Sequence, residues 1–471
     1  MRLRLPIAAG ATLALGAVLA LGANLTAQQS TAATSPGPGS AVPQGIHKIQ
    51  HVIMIMQENR SFDSYFGVYP GAIGIPMDHG VPTVCVPDPM AGDCVKPYVL
   101  HADSSQGGPH TSPASARDIN HGKMDGFIAE AETRCKRGAG PCKALDVMGY
   151  HTGTDIPNYW AYAKNFVLDD MMFESDHAWS LPSHLGLTSG WSAACRSQDP
   201  MSCTSSIQPK QPTPNNPTPY AWTDLTWLLH KNNVSWGYYL DHGPQTSSNP
   251  SGVPQTWSVL PGFSDVHQDG QTGNIQPLTT FMAQAQAGTL PQVSWIVPNV
   301  QDSEHPPAKV STGQAFVTRI INAVMSSSNW NSSAIFLAWD DWSGMYDNVA
   351  PPTADSLGYG IRVPALVISP YARRGLIDSQ TLSFDAYLKF IEDDFLGGAR
   401  LDPRTDGRPD ARPDVRENLS ILGDLAKDFN FSQAPLPPLI LDPCPSSTTL
   451  TPPPNPGCNG TVKMPPDIGD S

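Results

Sequence analysis

The sequence predicts an α/β protein built on a mainly parallel central sheet flanked by helices. Three observations predict it. Unbroken apolar runs of strand length recur along the chain, a segment of helical periodicity separates two of them, and acidic or amide residues follow directly where two of the runs stop. Strand, helix, strand is the rhythm of a parallel sheet. In such sheets functional groups collect just beyond the carboxyl ends of the strands.

The elements follow in order. Arg2 and Arg4 precede an apolar stretch from Ile7 to Leu21, and Leu25-Thr26-Ala27 resembles a peptidase site, so residues 1–27 read as a signal peptide. The stretch is short for a bilayer span, and Gln28-Gln29-Ser30 follows it, so no membrane anchor is expected after cleavage. Residues 28–45 form a flexible Ser/Pro/Gly/Ala linker. The first strand is Ile49–Met56; Gln292–Pro298, Ser333–Asp341 and Arg362–Pro370 read as further buried strands. Between the second and third, Phe316, Ile320, Ala323 and Val324 recur at helical spacing. No break within residues 46–432 resembles a domain linker, so one catalytic domain is expected there. Residues 433–471 form a Pro-rich extended tail pinned by Cys444 and Cys458.

Composition narrows the function classes. The chain of 471 residues is 40% hydrophobic and only 15% charged, which suits a large core rather than a disordered polyelectrolyte. A formal net charge of -14 disfavours nucleic acid and anionic lipid surfaces as electrostatic partners. The eight cysteines fall into near neighbours, Cys85/Cys94, Cys135/Cys142, Cys195/Cys203 and Cys444/Cys458. Close pairs without a C-x-x-C read as local disulfides in an oxidising compartment, which agrees with a secreted or periplasmic protein.

Two strand endings carry the chemistry. Met54-Ile55-Met56 gives way to Glu58-Asn59, and Phe336 to Trp339 gives way to Asp340-Asp341. If these strands are parallel neighbours, three carboxylates and a carboxamide converge. Carboxylates so close repel unless a cation neutralises them, and oxygen ligands suit Ca²⁺, Mg²⁺ or Mn²⁺ ahead of Zn²⁺. The competing reading pairs Glu58 with Arg60 and makes Asp340-Asp341 an ordinary turn. Ser180 precedes Pro182, so a helix starting there would aim its N–H groups at an anion held against Ser180 Oγ; an ordinary Ser N-cap is the alternative. The G-x-S-x-G elbow of serine acyl hydrolases is absent around Ser180. Of the histidines, His305 follows a strand end directly, while His110, His121, His242 and His267 lie in other loops.

Several longer motifs resemble one family. "QENRSFDSYFG", "INHGKMDGF", "MGYHTGTDIPNYWAYAKNFVLDDMMF", "AWSLPSHLGLTSG", "SEHPP", "FLAWDDWSGMYDNVAPP" and "VISPYARRGLIDSQTLSFDAYLKFIEDDFLG" occur in that order from Lys48 to Gly397. They resemble the bacterial phosphoesterase family, which includes non-haemolytic phospholipases C, plant non-specific phospholipases C and a surfactant-sensitive acid phosphatase. The resemblance implies an alkaline-phosphatase-like fold and phosphate-ester hydrolysis. It implies one divalent metal on Glu58, Asn59, Asp340 and Asp341, a nucleophile at Ser180, and phosphate contact from His305, with His267 a looser match. His184, His242 and Trp342 are expected at the substrate, a phosphate-ester small molecule or a phospholipid head group. Ala178-Trp179 replaces the family's usual Gly-Pro, Ser183-His184 its Asn-Arg, and Trp342-Ser343 its frequent His-Gly, so head-group preference does not transfer. A glycosidase using paired carboxylates and a catalytically silent binding protein are the alternatives.

Overall fold

The structure, a computed structural model, describes residues 44–136, 143–195, 202–205, 220–244, 252–355, 357–406, 412 and 414–452. The segment read as a signal peptide and most of the linker lie outside these residues. Among the described residues no helix is long and apolar enough to cross a membrane.

The central sheet has eight strands: β1 (His51–Gln57), β2 (Val167–Asp169), β3 (Trp236–Leu240), β4 (Ile275–Pro277), β5 (Val293–Ile296), β6 (Ser333–Trp339), β7 (Ala365–Ile368) and β8 (Leu376–Asp378). Their order is β4-β3-β5-β1-β6-β7-β2-β8. Only β7 runs against its neighbours. The reason is local: among the described residues no helix lies between β6 and β7, so the chain turns back beside β6 without the crossover that parallel pairing requires. The four strands expected from apolar runs are all present, each within a few residues of its expected limits.

β1 sits between β5 and β6, parallel to both. Helices cover the sheet, so Val52–Met56 is buried on both faces and shows no in–out alternation. The segment of helical periodicity is a helix at Val310–Met325, and it buries Val317, Ile320, Ile321 and Val324. A second, smaller core gathers Phe127, Ile128, Val147, Met148, Trp342, Tyr346 and Ile361 beside the loop that follows β6. The described part of the Pro-rich tail has neither helix nor strand. It lies along the domain through Leu436 N–H to Pro370 O and Thr449 N–H to Thr154 O, and it buries Leu450.

Cys85 and Cys94 form a disulfide, as their spacing predicts. Cys135 and Cys444 are also disulfide-bonded, while Cys142 and Cys458 lie outside the described residues. The backbones of Cys195 and Cys203 stand opposite each other in an antiparallel pair.

One buried cation ties the site loops together. Arg362 is wholly buried, and its Nε donates to Asp347 Oδ1 (2.9 Å) while Nη2 reaches Asp63 Oδ1 (3.3 Å). Its Nη1 donates to the carbonyls of Ile73 and Asp170. Asp63 belongs to a short helix, α1 (Phe62–Phe66), that follows β1, and Asp347 to the loop after β6. Burial raises the Asp63 carboxyl well above the usual range, the charge of Asp347 adds to this, and Arg362 opposes both. Arg362→Met would strand two buried carboxylates, which typically costs about 3–5 kcal/mol. Urea unfolding of the variant should show a loss of that order; a change within experimental error would mean that the ion-pair cluster does not hold these loops.

Candidate active site

The site begins where β1 and β6 stop. Gln57 pairs with Trp339 in the parallel ladder, and Asp340 N–H donates to Gln57 O (3.0 Å). The next residues on the two strands therefore meet. Asn59 N–H donates to Asp340 Oδ1 (2.8 Å), and Asn59 Nδ2 donates to Asp341 Oδ1 (2.6 Å). Asn59 sits at φ 58°, a left-handed conformation that Asn tolerates better than most residues. Glu58, Asn59, Asp340 and Asp341 are all fully buried.

Ser180 and His184 come from one helix, α2 (Ser180–Ser189). Ser180 is its first residue rather than its cap; Trp179 holds the cap position and makes no side-chain cap bond. The hydroxyl is thus turned elsewhere: Ser180 Oγ lies 3.2 Å from Glu58 Oε2 and 3.2 Å from Asp341 Oδ2. The ordinary N-cap reading is set aside by this geometry. One turn later on the same helix face, His184 Nε2 lies 2.8 Å from Glu58 Oε1 and 3.9 Å from Asp340 Oδ2.

These residues fit a divalent cation. Glu58, His184 and Asp340 offer ligand atoms within 4.8 Å of one another. Asn59 Oδ1 and Asp340 Oδ2 are buried oxygens with no hydrogen-bond partner. Glu174, six residues before Ser180, adds a further carboxylate: its Oε1 accepts from Trp342 N–H (3.0 Å), and its Oε2 is buried without a partner. Burial raises the Glu174 carboxyl well above the usual range, and the charges of Asp341, Asp176 and Asp340 raise it further. Excess buried negative charge of this kind calls for a counter-ion.

His305 stands on the loop after β5, nearly buried, with its Nδ1 donating to Pro306 O (2.9 Å). That bond makes Nε2 the basic nitrogen of the neutral ring. His110 lies edge-on to it at 5.7 Å between ring centroids, and Trp257 lies at 5.7 Å. His110 also stands edge-on to Trp342, so these rings connect the His305 loop to the residue after Asp341.

The loop rests on a buried carboxylate. Glu304 Oε2 accepts from Tyr65 OH (2.6 Å) and Trp339 Nε1 (3.0 Å), and Oε1 accepts from Tyr159 OH (2.5 Å). Arg60 Nε donates to Tyr65 OH (3.0 Å) and Nη1 to Asn59 O (2.6 Å). Arg60 therefore braces the turn after β1 and joins this network, and the reading in which it pairs with Glu58 does not describe its bonds.

Other expected residues lie differently. Trp342 is wholly buried in the smaller core, with Nε1 donating to Asp118 Oδ2 (2.8 Å); the structure uses it for packing rather than as an open substrate wall. His267 is exposed, its Nε2 donating to Pro261 O (2.9 Å), and does not join the buried group. His242 follows β3 and is mostly exposed beside Asp241. His184, expected at the substrate, instead meets Glu58. Sequence reasoning passed over Glu174, just before the motif that carries Ser180, and Glu304, beside His305 in its motif, and it named His110 only as one loop histidine among several.

The chain matches the model of the phosphoesterase family over residues 49–396. This chain belongs to the phosphoesterase family. It is therefore a hydrolase of phosphoric ester bonds, and the sugar-hydrolase alternative falls away. Curated relatives of this phosphoesterase include phospholipase C A of Mycobacterium tuberculosis, 28% identical over 438 residues that cover 83% of this chain and 79% of the relative. The non-hemolytic phospholipase C of Pseudomonas aeruginosa is 27% identical over 462 residues, covering 86% of this chain but 62% of that protein. Among solved structures, a protein in the alkaline phosphatase superfamily from Vibrio parahaemolyticus overlaps with a TM-score of 0.33 at 11% identity, covering 74% of this chain and 67% of that one.

Burial pushes the Glu304 carboxyl up to about 7, with Arg60 and the donors from Tyr159, Tyr65 and Trp339 opposing the rise. The folded protein thus binds this proton more tightly than the unfolded chain, and stability falls as pH rises from the unfolded value through about 7. Glu304→Gln removes that dependence. Relative to wild type, the variant should gain stability between mildly acidic and neutral pH, by at most about 1.4 kcal/mol per pH unit. Urea unfolding at several pH values tests this, and a constant difference would mean that Glu304 stays charged throughout.

Proposed function

We propose that this phosphoesterase hydrolyses phosphodiesters of the phospholipase C type through a phosphoserine formed at Ser180. The observation that carries the reading is Ser180 Oγ placed between Glu58 and Asp341 at the start of a helix. The names of the relatives support the phosphodiester. A phosphomonoester is the second reading, favoured by nothing specific to the geometry.

Glu58, Asn59, Asp340 and Asp341 would hold one divalent ion. Their oxygens favour Ca²⁺, Mg²⁺ or Mn²⁺, and the His184 nitrogen tilts that choice toward Mn²⁺. Such an ion neutralises the clustered carboxylates and favours the ionised form of a nearby hydroxyl. Ser180 Oγ attacks phosphorus in line, and its proton passes to the Glu58 or Asp341 carboxylate beside it. The N–H groups at the start of α2 have no partner within the helix and point their positive dipole end at the phosphoryl oxygens. His305, as imidazolium, donates from Nε2 to the departing alcohol oxygen as the P–O bond breaks. Water then attacks the phosphoserine, giving its proton to His305 Nε2, and the carboxylate returns its proton to Ser180 Oγ as the Ser O–P bond breaks. Positioning and charge stabilisation supply most of the rate. The disulfides and the signal-like start of the chain support work outside the cytoplasm.

Two variants test the assignment against a phosphocholine diester and a chromogenic phosphomonoester, each with chelator and with metal added back. Ser180→Ala should lose about three orders of magnitude in kcat or more while keeping its circular dichroism and its bound metal. Glu58→Gln should lose both metal and turnover. Near-normal hydrolysis by Ser180→Ala would overturn the nucleophile, and turnover unaffected by chelator would overturn the metal. A higher kcat/KM for the monoester would make the enzyme a phosphatase.

A further inference from the structure

A second group of carboxylates stands on the same edge of the sheet. β2 and β8 are parallel to each other and end side by side, with Asp169 paired to Asp378. Paired residues of neighbouring strands direct their side chains to the same face. Asp428, the last residue of a short helical turn (Leu425–Asp428), brings a third carboxylate: one oxygen from each lies within 4.8 Å of the others. Asp169 and Asp428 are wholly buried, while Asp378 is half-buried and gives the group its access to solvent.

The bonding of this group is incomplete. Both oxygens of Asp169 and both of Asp428 are buried and lack a hydrogen-bond donor. So does the hydroxyl of Tyr387, on the helix Asp385–Phe395, which is buried within electrostatic reach of Asp169 and Asp428. Asp378 accepts from Gln380 at each oxygen, through the backbone N–H (3.2 Å) at one and the side-chain amide at the other. Each oxygen keeps a second lone pair. A shared proton can link Asp378 to Asp428, but it leaves Asp169 unmet. Uncompensated buried carboxylates are among the least tolerated groups in a protein interior. A single cation reached by all three satisfies the whole set.

We propose that Asp169, Asp378 and Asp428 bind a second divalent cation of the calcium class, separate from the Ser180 site. The ligands are all oxygens and carry three formal negative charges, which suits Ca²⁺ with its tolerance of irregular geometry. Asp169 opens the chain segment that runs on to Ser180, and Asp428 belongs to the C-terminal part of the domain. The ion therefore clamps a late segment of the chain to the strand ends that carry the catalytic segment.

The test uses the full chain carrying Glu58→Gln and Asp340→Asn to disable the first site. After chelation, Ca²⁺ alone is titrated by calorimetry and by thermal melts. One Ca²⁺ should bind per chain and raise the melting temperature, and adding Asp378→Asn should weaken binding by roughly tenfold or more. No binding, or binding indifferent to Asp378→Asn, overturns the proposal. Anomalous diffraction from the wild-type chain soaked in Mn²⁺ gives a readout independent of any variant's folding. A peak among the three carboxylates supports the site, and its absence at saturating ion overturns it.

Discussion

Pairing of β1 with β6 in parallel register sets Gln57 opposite Trp339, and the place of the candidate site follows from where that ladder stops. Each strand places acidic or amide residues in its next two positions, so strand geometry alone brings Glu58, Asn59, Asp340 and Asp341 together. The arrangement is electrostatically unfavourable on its own. It persists because the surrounding loops are fixed by other bonds: Arg362 between Asp63 and Asp347, and Arg60 on the Asn59 carbonyl. Asn59 completes the junction, giving its backbone N–H to one strand's first carboxylate and its side-chain amide to the second. A slip of the ladder would separate donors from acceptors and dissolve the site.

Parts of this were readable from the residues because they depend on local pattern. An apolar run that ends on acids announces a buried strand and, beside a second such run, a place where acidic groups meet. His184 follows Ser180 by one helical turn, so its place beside the same carboxylates follows from α2 once that helix is granted. Other parts depend on contacts between distant segments. Glu304 acquires its role from Tyr65, Tyr159 and Trp339, which come from three separate parts of the chain. Its neighbour His305 drew attention as a histidine, while the carboxylate that supports the loop looked like any surface Glu. Trp342 shows the opposite error: an aromatic residue beside the acidic pair suggests a ligand wall, yet Asp118 captures its indole nitrogen in a separate core. The reversal of β7 was equally hidden, since an apolar run carries no direction.

The sheet ends on acidic groups twice, and the two places differ in what meets them. Asp169 and Asp378 meet at paired strand ends much as Glu58 and Asp340 do. At the first pair of strands α2 starts with a serine whose hydroxyl, free of any capping bond, reaches the carboxylates. In the proposed mechanism the partial positive charge of that helix end and the proton of His305 would supply what phosphoryl transfer needs beyond negative ligands. At the other end of the sheet Gln380 donates to Asp378, and the buried Tyr387 hydroxyl stands within electrostatic reach of Asp169 and Asp428, with no serine hydroxyl among the described residues bonded to the group. On the two proposals made above, parallel strands ending on acids would create places for cations, and the side chains that meet each place would decide its chemistry.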